Sequence, residues 1–405
     1  MRIGICGGGN LSHAMAAWLG SRGHTVSIVT RKPGDWAREL AGTLPDGSSV
    51  TAPLASVSAD YGTLSNCEII LLTAPRFAIG SMCENMRPFL REGQLLVIVP
   101  GTPLLLSLRN APEWQGVELM GMYKVPFICR TAAYGRRVSI LGSRALNRAW
   151  VSGNTDWETR SSQVAALFDT PLERLGSPYP FLLTNSNSLL HPSRLSTMFA
   201  DYRKGVCYDH NILFYEEWTE EASERYIQAD AELMELCRRI PEMRIGTDIV
   251  PVLEYYESHD AASLTAKIRS IPAFKGITSP MVQTAGGWIP DFSSRYFTED
   301  IPWGTSLICG LARELNVATP TLDAFVQWND TMLRRFGQPP PRPCLQYSQY
   351  CRHAYSPNEL TSGKRAKHAK AERKRSPYKG DLISTSYMQS IPYSIGNTVG
   401  KTLCA

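Results

Sequence analysis

A chain of 405 residues exceeds what one ordinary hydrophobic core organises, and 43% hydrophobic with 20% charged residues is the balance of a folded globular protein, which excludes a disordered or fibrous chain. No apolar run reaches the length of a membrane span, and the opening MRIGICGGGN reads as a strand and a glycine turn rather than a leader, so a soluble cytoplasmic protein is expected. The net charge of +5 is uneven: residues 339–405 hold eleven Lys and Arg against three Asp and Glu, leaving the first 338 residues at about −3.

In chain order, RIGIC predicts a buried strand, GGGN a tight turn, LSHAMAAWLGSRG an amphipathic helix ending at Gly23, and HTVSIVT a second strand. Strand, glycine turn, helix and strand make a dinucleotide-binding βαβ unit. Gly7 allows the tight turn, Gly9 lets the backbone approach a pyrophosphate, and Gly8, Asn10 and Leu11 complete the turn at a helix N-terminus that attracts anions. The third fingerprint position is Ser12, small but not the usual Gly or Ala. Where an NAD site carries an acid at the end of the second strand, this chain has Thr30 followed by Arg31 and Lys32. A hydroxyl and two cations suit a ribose 2'-phosphate, so NADPH is the expected cofactor and NADH the alternative, in which case Arg31 and Lys32 belong to a solvated loop.

CEIILLTAP at 67–75 and QLLVIVPGTP at 94–103 extend the doubly wound pattern and place Thr73, Pro75 and Gly101 at strand carboxyl ends, where ligands bind in such sheets. The ten cysteines show no CxxC or other metal spacing and read as reduced, mostly buried thiols, with no metal expected. From about residue 180 helical periods take over. Phe214, Trp218, Tyr226, Leu233 and Leu236 recur at helical spacing as core positions, and DIPWGTSLICGLARELNV reads as a helix begun by Pro302. The fold class is therefore α/β: an N-terminal Rossmann-type dinucleotide-binding domain over 1–175, a mostly α-helical domain over 176–338, and a basic extension over 339–405. GQPPPRPC stops the last helix, and KRAKHAKAERKR predicts a flexible tail that could engage nucleic acid or an anionic surface, a solvated tail being the plainer reading.

Of the seven histidines, His13 falls on the first helix, His24 at a turn, and His353 and His368 in the tail, which leaves His191, His210 and His259 for the second domain. His191 precedes Pro192, which disfavours helical geometry and suggests a ring displayed at a helix start, with Asn185 and Asn187 nearby. Downstream, SSRYFTEDIP gathers Arg295, Glu299 and Asp300. A carboxylate there either complements a helix terminus or holds an imidazole by its second nitrogen, and Arg295 offers a bidentate clamp for a carboxylate.

GGGN, PFICRTAAYGRRVSILGSR at 126–144, LTNSNSLLHP at 183–192 and RYFTEDIPWG at 295–304 occur in an order that resembles the octopine/nopaline (opine) dehydrogenase family, over roughly residues 1–335. NxNxLLHP and RYxTEDIP are the specific elements. The resemblance implies a two-domain NAD(P)H-dependent oxidoreductase acting on CH–NH, which condenses an amino acid amine with a 2-oxo acid and reduces the imine. It implies His191 as the catalytic histidine, Asp300 as its acidic partner, Arg295 as a carboxylate-binding residue, and Cys129, Arg130 and Asn187 near the substrates. Domain closure is then expected to bring the nicotinamide to the imine and exclude water. The rivals are a 2-oxo acid reductase of the ketopantoate or hydroxyisobutyrate type, which needs a catalytic lysine where this domain offers Lys204, Lys267 and Lys275, and a non-catalytic dinucleotide-binding protein with a basic tail.

Overall fold

The apolar runs of the first hundred residues pair side by side. Strands covered on both faces have no polar alternation to keep, and β1 (Arg2–Cys6), β2 (Thr25–Val29), β6 (Ile69–Leu72) and β7 (Leu95–Ile98) are buried almost throughout. The computed structural model describes residues 1–153 and 155–341. These form two compact units, Met1–Leu183 with Ile240–Arg244, and Thr184–Arg239 with residues 245–341. The basic run of the tail lies outside the described residues.

The first unit adds β3 (Glu39–Thr43), β4 (Ser49–Pro53), β5 (Ser56–Ser58), β8 (Glu118–Met122), β9 (Phe127–Ala133), β10 (Arg137–Ser143), β11 (Asn147–Val151) and β12 (Leu172–Arg174). Its helices are α1 (Asn10–Ser21), α2 (Arg76–Met86), α3 (Leu105–Leu108) and α4 (Trp157–Phe168). One sheet runs β12-β11-β8-β7-β6-β1-β2-β5, parallel from β5 through β8, with β11 antiparallel at the far side. The six parallel strands have the doubly wound order whose direction of winding reverses between β1 and β6, the switch point where such sheets bind dinucleotides. A second sheet, β4-β3-β10-β9, packs on α1, which is why that helix is buried nearly all round.

The second unit holds α5 (Asn187–Met198), α6 (Glu220–Arg238), α7 (Val252–Tyr255), α8 (Ala261–Ser270), a hairpin of β13 (Met281–Thr284) and β14 (Gly287–Pro290), α9 (Ser306–Glu314) and α10 (Pro320–Arg335). Before α9 runs a π-helical segment, Tyr296–Thr305. The Thr219 hydroxyl caps α6 by accepting from the Ala222 N–H, and Glu220 and Glu221 complement the helix dipole. That cap starts the helix after Phe214 and Trp218, so these two, expected on it, precede it; all five expected core residues are buried.

Two proline expectations need correction. Pro192 does not put His191 at a helix start: both lie inside α5. A helical proline deprives the carbonyl four residues back, that of Ser188, of its N–H donor. The Thr305 hydroxyl supplies the missing bond at 2.5 Å. Pro302 likewise does not begin a helix but sits within the π-helical segment. Gly304 permits the approach, since a Cβ there would lie 2.2 Å from the Ser188 hydroxyl oxygen. Among the described residues no helix is long and apolar enough to cross a membrane.

Replacing Thr305 by Val keeps the shape and removes the donor, which leaves a buried carbonyl unsatisfied at a cost of about 1–3 kcal/mol. Chemical denaturation of Thr305→Val is expected to show that loss and Thr305→Ser to recover it; equal stability of Thr305→Val and wild type would contradict this role for the hydroxyl.

Candidate active site

At the switch point Gly7 adopts φ +142°, and a Cβ on it would lie 2.2 Å from the Thr73 carbonyl oxygen. Only glycine fits there. Ser12 and Thr73 share a hydrogen bond of 2.6 Å, both buried, so the hydroxyl at the third fingerprint position ties the turn after β1 to the end of β6. Gly8 packs on Thr30 and Tyr134, whereas a Cβ on Gly9 would meet nothing within 4 Å. The backbone at Gly9 is thus open to a pyrophosphate at the N-terminus of α1, and the residues present fit a dinucleotide. Asn10 is committed elsewhere, accepting from the Thr131 N–H at 3.0 Å, and Leu11 packs against the unit's core. Thr30 is buried at the end of β2, with Arg31 and Lys32 exposed after it. Pro75 immediately precedes α2.

His13 braces this turn. Its Nδ1 donates to the Gly9 carbonyl at 2.8 Å, its Nε2 accepts from the Gly135 N–H at 2.8 Å, and its ring stacks on Trp36 with centroids 4.1 Å apart. Sequence reading gave it no role, because nothing local marks a bond 122 residues away. Burial holds its pKa below the usual 6.5, with the Gly9 bond opposing. The unfolded chain therefore takes up this proton more readily, and stability is lost as pH falls below about 6.5 toward the lowered folded value. Thermal denaturation across that window is expected to fall less steeply for His13→Gln than for wild type; identical slopes would remove His13 as the source.

In the helical unit, α5 carries His191 and the π-helical segment carries Asp300. His191 is 2% exposed, its Nδ1 is 2.8 Å from Asp300 Oδ2, and its Nε2 is 3.4 Å from the Tyr215 hydroxyl. The ring stacks on Tyr296, with centroids 4.3 Å apart, and meets the edge of Phe214. A carboxylate only accepts, so Asp300 fixes the Nδ1–H tautomer and leaves Nε2 as the atom that exchanges a proton. Tyr215 and Tyr296 were missed in the sequence, although Tyr296 lies within the RYFTEDIP element. Asn187 is four residues before His191 on α5, hence on the same face, and its buried Oδ1 has no hydrogen-bond partner among the described residues. Arg295 pairs with Glu299, one turn on, and stays exposed.

Other expected residues have surroundings of their own. Cys129 belongs to the apolar core of the first unit, where burial pushes its thiol up to about 11. Asn185 is a structural tie, donating to Asp230 and to the Val250 carbonyl. His210 and His259 are exposed beside Glu217 and Asp260. Among the described residues no group of His, Cys, Asp and Glu could hold a metal.

A doubly wound nucleotide sheet with an open glycine turn, joined in one chain to a helical unit with a buried His–Asp pair, defines a nicotinamide-dependent dehydrogenase. Residues 175–333 match the family model of the NAD/NADP octopine/nopaline dehydrogenase α-helical domain, and residues 2–99 match that of the coenzyme F420-dependent NADP oxidoreductases. Tauropine dehydrogenase of Arabella iricolor is 25% identical over 81% of this chain and 90% of its own length, and octopine dehydrogenase of Pecten maximus 25% over 81% and 89%. Among solved structures, octopine dehydrogenase with NADH and L-arginine has a TM-score of 0.73 at 24% identity, covering 82% of this chain and 90% of that one. Yersinopine dehydrogenase with NADP+ reaches 0.64 at 12% identity over 87% and 98%. A ketopantoate reductase from Ralstonia eutropha JMP134 shares only the fold, at 0.53 and 14% identity over 83% and 99%. These matches support the opine dehydrogenase family for this chain, whose helical domain is that of the octopine/nopaline dehydrogenases, and with it an NAD(P)-dependent oxidoreductase acting on CH–NH.

Proposed function

We propose that this chain joins the amine of an amino acid to a 2-oxo acid and reduces the resulting imine with NADPH in preference to NADH, using His191 as the catalytic acid and base. The observation that carries the reading is the 2.8 Å contact between His191 and Asp300, with the histidine ring held between Tyr296 and Phe214. Attack of the amine on the ketone carbon gives a carbinolamine, whose hydroxyl must leave as water. Protonated at Nε2, His191 donates to that oxygen, and the Asp300 carboxylate stabilises the imidazolium and holds the ring in place. The bound nicotinamide supplies the hydride that converts the imine to a secondary amine.

Positioning follows from the neighbours. The unbonded Asn187 Oδ1 accepts from the substrate amine, and the exposed guanidinium of Arg295, steadied by Glu299, receives a substrate carboxylate. Arg31 and Lys32 beside the Thr30 hydroxyl support a 2'-phosphate, hence NADPH. The seven described cysteines are all unpaired thiols, as in a reducing cytoplasm.

His191→Gln and Asp300→Asn are each expected to lower kcat by about 10²–10⁴-fold. NADPH affinity, read by fluorescence titration, should stay near wild type; a variant that turns over normally would remove its residue from the mechanism. Separately, Arg31→Ala with Lys32→Ala should raise KM for NADPH well beyond any change for NADH. A wild-type preference for NADH would overturn the cofactor assignment.

A further inference from the structure

The dinucleotide site described above draws on Gly7 to Leu11 and the end of β2, and leaves out the turn between β9 and β10. That turn belongs to the second sheet, outside the βαβ unit, yet it reaches the glycine turn. Gly135 stands at φ +67°, and a Cβ on it would lie 2.2 Å from the Asp35 carbonyl oxygen. The close approach lets its N–H donate to His13 Nε2 at 2.8 Å and its carbonyl accept from the Ala37 N–H at 2.9 Å. One residue on, the Arg136 carbonyl accepts from the Ala41 N–H at 2.9 Å. The turn is thus tied both to α1 and to the segment that follows Arg31 and Lys32.

These bonds fix the residue before Gly135. Tyr134 meets the His13 ring edge-on with centroids 5.1 Å apart, and the Trp36 ring at 5.9 Å, yet it stays 41% exposed. Its hydroxyl and that of Thr30 converge on Gly8, where a Cβ would lie 2.8 Å from each oxygen. The φ of Gly8 is not positive, so space rather than backbone angle keeps that position bare. Thr30 occupies the end of β2, where an acid usually accepts from the ribose hydroxyls of the adenosine half. A carboxylate only accepts, whereas two hydroxyls donate as well. A pair of hydroxyls aimed at one spot from two different sheets therefore suits a ribose oxygen that needs a donor.

Resting on that dinucleotide site, we infer that Tyr134 is a further cofactor-binding residue, whose hydroxyl, with that of Thr30, holds the 2' position of the adenosine ribose. A 2'-phosphate and a 2'-hydroxyl share this chemistry, so the inference stands with either nicotinamide cofactor.

The test is fluorescence titration of NADPH and of NADH into wild type and Tyr134→Phe, which keeps the ring packed on His13 and Trp36. A loss of about tenfold or more for NADPH, with little for NADH, places the hydroxyl on the 2'-phosphate. A loss of about two- to tenfold shared by both places it on the ribose. Either result supports the inference, and unchanged affinity for both overturns it. A second measurement needs no variant and decides the case in which Tyr134→Phe is less stable. Bound NADPH should shield Tyr134 of the wild type from nitration by tetranitromethane, read by peptide mass spectrometry; nitration undiminished by the cofactor overturns the inference. A wild type that prefers NADH overturns the preference proposed above and leaves this inference to the NADH arm. A wild type that binds neither overturns both.

Discussion

The bond from the Thr305 hydroxyl to the Ser188 carbonyl is the constraint on which the His191–Asp300 pair rests. A proline in mid-helix normally leaves a carbonyl orphaned and bends or breaks the helix. Here the orphan becomes a docking point for a second element. Gly304 lets that element come close, and with the π-helical segment fixed on α5, Asp300 reaches His191 across 109 positions of sequence. The wide turn accommodates Pro302, whose missing N–H a regular helix would have needed. The defect in α5 is thus satisfied from the π-helical segment, and within that segment the Phe297 carbonyl accepts from the Asn329 side-chain amide of α10.

The nucleotide unit relies on a comparable economy of hydroxyls and ring nitrogens. Ser12 on α1 bonds Thr73 at the end of β6, and His13 spans from the glycine turn to the turn between β9 and β10. With those side chains satisfied inside the protein, the Gly9 backbone is left bare toward the ligand. The departure from Gly or Ala at position 12 is accordingly a tie from α1 to the end of β6 rather than a weakened fingerprint.

Much of this was legible in the chain, and the parts that were not have physical reasons. The parallel strands and the glycine turn could be read because their signals are local: continuous apolar runs and residues that tolerate unusual backbone angles. The β3-β4 and β9-β10 hairpins went unread because ELAGT, SVTAP and their partners are short and weakly alternating, and they become strands by packing on α1. Pro192 misled because the local rule for a residue before proline was outweighed by a donor from 113 positions downstream. His191 and Asp300 were recognisable as a pair only through the resemblance of two separated motifs. Tyr215, which reaches the free nitrogen of the histidine, belongs to neither motif and became visible only when α5 and its neighbours were assembled.

The distinction between condensing an amine and merely reducing a ketone lies in whether the carbon that takes the hydride carries nitrogen or oxygen in the product. The most direct measurement uses NADPH carrying deuterium at the transferable position of nicotinamide C4, incubated with a 2-oxo acid and an amino acid that support turnover, with mass spectrometry of the product. The expected product is a secondary amine bearing one deuterium on the former ketone carbon, with no label consumed when the amine is left out. Deuterium recovered in a nitrogen-free 2-hydroxy acid, at the same rate with and without the amine, would contradict the assignment.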